Sequence, residues 1–251
     1  MCNTEKFTGL STNYEKGRPS YSNKFIEDLY TKFGFSTNSI IADIGSGTGK
    51  FAEQLLQKGN FVYCIEPNDD MRFMSVNKLK KYKNFQAIKG DASNTSLQNA
   101  SIDFITAAQA FHWFNVSQFK SECLRILKPD GLVFLIWNIR DITNIFNQRC
   151  HEITSFYCPK FKGFGGGIQP NDHRITDFFV ESYEYIEYSN PLLYDKDRFI
   201  SRSLSGSYSL GKADILYSDY ITALSQLFDQ FAKDGHITMQ NKTIVYVGKL
   251  H

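Results

Sequence analysis

Apolar and polar positions along this chain follow two alternating rhythms. After YEKGRPSYS, the residues Phe25, Ile26, Leu29, Tyr30 and Phe33 recur at helical spacing, which predicts a helix capped by Ser22 and stopped by Gly34. Short apolar runs then predict strands at Ser39–Ile44, Phe61–Glu66, Asn84–Lys89, Ile102–Ala107 and Leu132–Trp137. Between them, helical spacing covers Gly49–Lys58, Asp69–Lys81 and the segment opening at Asn115, where Gln118 completes a capping box. Lys128–Pro129–Asp130–Gly131 reads as the turn before the fifth strand.

Strands separated by helices of about ten residues imply a doubly wound α/β fold with a mainly parallel sheet, whose ligands lie beyond the carboxyl ends of its strands. After Asn138 the alternation stops. A helix near Thr143–Tyr157 precedes CPKFKGFGGGIQPNDHR, which reads as a loop; Glu181–Tyr188 alternates like a strand, Asp214–Lys233 is an amphipathic helix, and Ile237–Lys249 is again a strand. The expected organisation is a core with an N-terminal arm over residues 1–138, followed by residues 139–251 as a lid insertion that also completes the same sheet.

One stretch carries the candidate chemistry. IIADIGSGTGKF, residues 40–51, joins a predicted strand to a predicted helix through Gly45, Gly47 and Gly49, so backbone N–H groups stand beside a helix N-terminus where a small polar ligand can approach. A phosphate-binding P-loop requires glycine and Ser or Thr where this chain has Ile44 and Phe51. A dinucleotide fingerprint requires its third glycine at the position of Lys50. Glu66, ending the second strand, suits the ribose hydroxyls of either a dinucleotide or another adenosine ligand.

Composition narrows the partners. Residues 1–138 hold 16 basic and 13 acidic side chains and residues 139–251 hold 12 and 13, so neither half resembles a nucleic-acid binder. Aromatic residues make up 15% of the chain, with 22 Phe and 14 Tyr, enough to line a pocket as well as a core. The five cysteines are odd in number with no CxxC pair, no long apolar run is present, and MCNTEKFTGL lacks the apolar core of a signal peptide. These features predict free thiols, no membrane partner and a cytoplasmic protein. CHEITS has Ser155 where a zincin needs histidine, and Cys150, His151 and Cys158 form no zinc pattern, so no metal is expected.

DIGSGTGKF resembles the [DE]-x-G-x-G-x-G loop of class I S-adenosylmethionine-dependent methyltransferases. IEPNDDM resembles their second-strand end, GDAS their third-strand loop, and LKPDGLVFLIW their fifth-strand turn, with Asp130 in place of a glycine. YEKGRPSYS, AQAFHWF and SRSLSGSY further resemble the type-11 branch that includes trans-aconitate methyltransferase-like proteins.

The resemblance implies a seven-stranded Rossmann-like sheet, S-adenosylmethionine as cofactor, S-adenosylhomocysteine as product and a small-molecule acceptor. It implies cofactor contacts from Tyr14, Arg18, Asp43, Gly45, Ser46, Gly47, Gly49, Glu66, Pro67, Met71, Asp91, Ala92, Gln109 and Ala110. Glu66 would take the ribose, Asp91 the adenine amino group, Asp43 the methionine ammonium and Arg18 its carboxylate. His112 and Trp113 would flank the acceptor, with His112 the one candidate for a catalytic base. Two rival readings are a sensor or partner module that binds the cofactor without methyl transfer, and an NAD-dependent oxidoreductase.

Overall fold

The computed structural model describes residues 19–250 except 166, 169–171, 180, 181 and 207. Helix α1 (Asn23–Thr31) buries Phe25, Ile26 and Leu29. The alternating core then runs β1 (Ile40–Ile44), α2 (Lys50–Gln57), β2 (Phe61–Ile65), α3 (Asp69–Leu79), β3 (Phe85–Ile88), β4 (Ile102–Ala108), a 3-10 turn at Phe111–Trp113, α4 (Val116–Ile126) and β5 (Leu127–Arg140). Beyond it come α5 (Ile145–Tyr157), α6 (His173–Phe179), β6 (Glu184–Ser189), β7 (Leu192–Tyr194), α7 (Lys196–Leu204), α8 (Tyr217–Phe231), β8 (Ile237–Met239) and β9 (Asn241–Gly248).

Seven strands form one sheet in the order β3-β2-β1-β4-β5-β9-β6. The first five pair in parallel, and β9 runs antiparallel between β5 and β6. Order reverses between β1 and β4, the switch point where a doubly wound sheet opens a crevice. Period-two alternation divides the strands between two cores: Ile105, Ala107, Leu135 and Trp137 face one way, Phe104, Phe134 and Ile136 the other. The second core is aromatic, with Phe35 stacked on Phe104 at 3.8 Å. A third apolar cluster joins Phe146 and Cys150 of α5 to Phe199, Tyr220, Leu224 and Phe228 of α7 and α8.

Several local expectations are corrected. Ser22 caps nothing: its hydroxyl donates to the Ser189 carbonyl at 3.0 Å and its N–H to Thr243 Oγ1 at 3.0 Å, so long-range partners replace the cap. Asn115 does cap α4, accepting from the Gln118 N–H. The Lys128–Gly131 segment does not precede β5 but bulges out of it: Ile102 pairs with Leu127, and the ladder resumes at Phe104 with Leu132. Lys128 reaches Asp103 at 2.8 Å across the bulge. The predicted strand 237–249 breaks at Gln240, because β8 pairs with β7 in a separate ribbon while β9 enters the main sheet. Helices α6 and α7 and strand β7 were not expected, and α8 starts at Tyr217 rather than Asp214. Among the described residues, no helix is long and apolar enough to cross a membrane.

Candidate functional site

The three glycines of the β1–α2 loop all have positive φ: +67° at Gly45, +56° at Gly47 and +74° at Gly49. Their surroundings differ. A Cβ on Gly45 would lie 2.7 Å from the Ala110 Cβ, and one on Gly49 2.4 Å from Leu79 Cδ1, whereas one on Gly47 would meet nothing of the described residues within 4 Å. Gly45 and Gly49 therefore allow close packing against the β4 exit and α3, while Gly47 faces open space. The N–H groups of Gly45 and Ser46 donate to the Ile65 carbonyl at 2.9 and 3.1 Å, which pins the loop to the end of β2.

Glu66, one residue past β2, is the link between the two loops. Its Oε2 accepts the Gly47 N–H at 2.8 Å and its Oε1 the Asn68 N–H at 2.9 Å. Burial pushes its carboxyl upward against the stabilising pull of these two N–H groups. Pro67 follows, and Asn68 caps α3 by accepting from the N–H of the buried Met71 at 2.9 Å.

Beneath the glycine loop, Asp43 is 1% exposed. Its Oδ1 accepts from the Thr106 hydroxyl at 2.8 Å, but its Oδ2 is buried with no partner among the described residues. Burial, with the nearby Glu66 charge adding to it, raises Asp43 to about 7. A second orphaned acceptor stands at the end of β4. Gln109 has φ +57°, its N–H donates to the Ile136 carbonyl at 2.8 Å and its side-chain amide to the Asn138 carbonyl at 2.9 Å, leaving Oε1 buried and unpaired among the described residues. A non-glycine residue in that conformation is held by its surroundings, here by these two hydrogen bonds to β5.

The third-strand loop behaves differently. Asp91 is exposed and its Oδ1 accepts from the Ser93 N–H, the Ser93 hydroxyl and the Asn94 N–H at 2.8, 2.6 and 3.0 Å. Burial pushes its carboxyl up, but these donors outweigh it and the net shift is downward. Ala92 is buried beside it.

After Ala110, the 3-10 turn presents His112 and Trp113 with ring centroids 4.8 Å apart; Trp113 is 42% exposed. The Trp137 indole N–H donates to His112 Nδ1 at 3.5 Å, and the ring lies under Gly167, where a Cβ would come within 2.5 Å of it. Arg174, paired with Asp172, also reaches the His112 carbonyl at 3.3 Å and so fastens α6 to the turn.

Thus Asp43, the glycine loop, Glu66, Pro67, Met71, Gln109 and Ala110 gather around the carboxyl ends of β1, β2 and β4, with His112 and Trp113 following on. Tyr14 and Arg18 lie outside the described residues. Thr106 and Asn138, which hold Asp43 and Gln109, escaped the sequence reading; the one signal for Thr106 is its polar interruption of an apolar strand. Among the described residues no three His, Cys, Asp or Glu side chains are grouped to hold a metal ion. Two unpaired buried acceptors and an open glycine fit an adenosine cofactor that brings an ammonium and hydroxyl donors.

Comparison with known proteins gives a consistent picture. A family described as "Methyltransferase domain" matches residues 42–135. The chain is 31% identical over 142 residues to an uncharacterized methyltransferase of Schizosaccharomyces pombe, covering 56% of this chain and 55% of that one. It is 30% identical over 151 residues to an uncharacterized methyltransferase of a Geobacillus species, covering 54% of this chain and 70% of that one. The chain spans about half the length of the first curated relatives it matches. In three dimensions it is similar to a proposed type II methyltransferase of Anaeromyxobacter dehalogenans, with a TM-score of 0.66, 14% identity, and 93% and 98% of the two chains covered.

Proposed function

The chain belongs to the methyltransferase domain family, and from that premise we propose that it transfers a methyl group from S-adenosylmethionine to a small-molecule acceptor. The observation that carries this reading is Glu66, a buried carboxylate that spans the glycine loop and the β2–α3 loop with one hydrogen bond to each.

In this reading Glu66 takes the ribose hydroxyls, Asp43 faces the ammonium directly or through water, Gly47 leaves room for the ligand backbone, and Gln109 and Ala110 border it from β4. Met71, Pro67 and Ala92 pack around the adenine, and Asp91, whose Oδ1 is held by its own loop, offers Oδ2 to its amino group. When bound, the cofactor supplies an electrophilic sulfonium methyl. The protein's task is then alignment and exclusion of water, because charge is neutralised on the way to the transition state and no oxyanion hole is required. Residues 139–251 complete the sheet through β6 and β9, and their remaining part acts as the lid over the acceptor.

Calorimetric titration with S-adenosylmethionine, S-adenosylhomocysteine and NAD tests the site. Glu66→Ala is expected to weaken both adenosyl ligands by about 1–3 kcal/mol, since the hydroxyls lose a charged acceptor. Loss of NAD affinity with the others unchanged would overturn the assignment. Methyl transfer in a metabolite screen distinguishes an enzyme from a sensor.

The resemblance to the aconitate-type branch supports a small organic acid as acceptor. A carboxylate of pKa near ~4 is ionised at neutral pH and needs no base. His112 Nδ1 is already an acceptor for the Trp137 indole. His112→Gln should therefore lower the rate only modestly and leave the pH profile flat between about 6 and 8. A wild-type rate that rises through ~6.5, with the rise abolished in the variant, would make His112 a general base instead.

A further inference from the structure

The arginines beyond Asn138 are not equivalent. Arg174 is paired with Asp172, Arg149 with Glu152, Arg202 donates to the Ser205 hydroxyl, and the exposed Arg198 lies over the Tyr194 ring. Arg140, the last residue of β5, is different. It is 6% exposed, its guanidinium carbon lies 3.8 Å from the Phe164 ring centroid, and among the described residues no carboxylate pairs with it.

A guanidinium stays charged at any physiological pH, and a buried charge without a counter-ion is strongly unfavourable. The polar neighbour that feels the Arg140 charge is the Cys150 thiol. Burial holds that thiol at about 11, so it remains neutral and supplies no compensating charge. None of the Arg140 nitrogens is among the sealed, partnerless polar atoms. Its guanidinium N–H groups therefore keep contact with solvent or with a partner and are not sealed off.

The position links this cation to the site. Arg140 stands on β5 two residues past Asn138, whose carbonyl holds the Gln109 side chain, and four residues past Ile136, where pairing with β4 ends. Strand alternation points Arg140 to the same side as Asn138. At the same corner, Asn147 of α5 binds the Asp141 and Gln240 carbonyls through its amide, and its own buried Oδ1 has no donor among the described residues.

We propose that Arg140 anchors an anionic group of the methyl acceptor, a carboxylate, sulfonate or phosphate gripped by the guanidinium with Phe164 against its face. This rests on the methyltransferase reading for the identity of the ligand as acceptor, but the anion site itself does not. An oxyanion accepts two parallel N–H bonds from a guanidinium and provides the missing charge, which a hydroxyl or an amine does not. Lysine keeps the charge and loses the fork.

The test uses the full chain saturated with S-adenosylhomocysteine and titrated with acetate, succinate, sulfate and inorganic phosphate. At least one of these anions should bind the wild type saturably, with affinity reduced at least tenfold in Arg140→Gln and less in Arg140→Lys. Absence of saturable binding by the wild type, or equal affinity in wild type and Arg140→Gln, overturns the anchor. If Arg140→Gln fails to fold, phenylglyoxal labelling of the wild type replaces it: the binding anion should protect Arg140 from the adduct in peptide mass mapping, and unprotected labelling sinks the proposal. S-adenosylhomocysteine affinity is read in the same experiments. Its absence would overturn the methyltransferase reading while the anion titration of the unloaded protein still judges Arg140.

Discussion

Gly47→Val is expected to abolish S-adenosylmethionine binding while leaving the chain folded. A Cβ at Gly47 meets no atom of the described residues within 4 Å, so the branched side chain projects into the space that the proposed ligand needs. The backbone there has φ +56°, which a β-branched residue adopts at a penalty of about 1–2 kcal/mol. A domain with 5–15 kcal/mol of stability withstands that. Gly49→Val is the contrasting variant. Its Cβ would overlap Leu79 Cδ1 at 2.4 Å, so it should separate α2 from α3 and lower the melting temperature far more. Circular dichroism melts and calorimetric titration of both variants separate the two effects. Undiminished affinity in folded Gly47→Val would remove this loop from the cofactor site.

Asp43→Asn is expected to make the protein more stable at neutral and alkaline pH and, at the same time, poorer at holding the cofactor. The folded Asp43 titrates at about 7 against an ordinary 3.8, because burial penalises its charge and Glu66 adds repulsion. The folded state thus holds this proton more tightly than the unfolded chain. Stability from this group is greatest at low pH, is lost as pH rises from about 4 to about 7, and is flat above that. At ~1.36 kcal/mol for each tenfold change in proton affinity, the loss is roughly 4 kcal/mol.

Asparagine can still accept from the Thr106 hydroxyl and carries no charge, so it escapes the loss. The melting-temperature advantage of Asp43→Asn should be smallest near pH 4.5 and reach its full size by about pH 8. A constant difference across that range, or a less stable variant at pH 8, would show that Asp43 titrates normally. Cofactor affinity should move the other way, since the variant presents no anion to the ammonium. Such an opposition between stability and binding is what a buried carboxylate with an unpaired oxygen predicts, and a purely structural aspartate would not produce it.

The alternation of apolar runs with helical stripes marked β1 to β4 to within a residue or so and only the centre of β5, since the first four are short apolar segments bounded by glycine or polar turns. The same local signals identified the glycine loop and Glu66. They did not reveal what each glycine does. Gly45 and Gly49 are packing glycines and Gly47 an open one, and the difference depends on Ala110 and Leu79, residues 65 and 30 positions away. Asp91 shows the reverse limit: its motif was legible, yet its Oδ1 is turned into its own loop by Ser93 and Asn94.

Sequence by itself determined the fold class, the order of elements through β5 and the candidate loop, because strand and helix periodicity and glycine's conformational freedom act over a few neighbouring residues. Tertiary structure alone decided that 237–249 divides between two sheets, that Ser22 bonds across the sheet instead of capping α1, and that one arginine among several is buried without a counter-ion. Those outcomes depend on which distant atoms come to lie within hydrogen-bonding distance or shut out water. That information is carried by the packing of the sheet against its helices, not by any local run of residues.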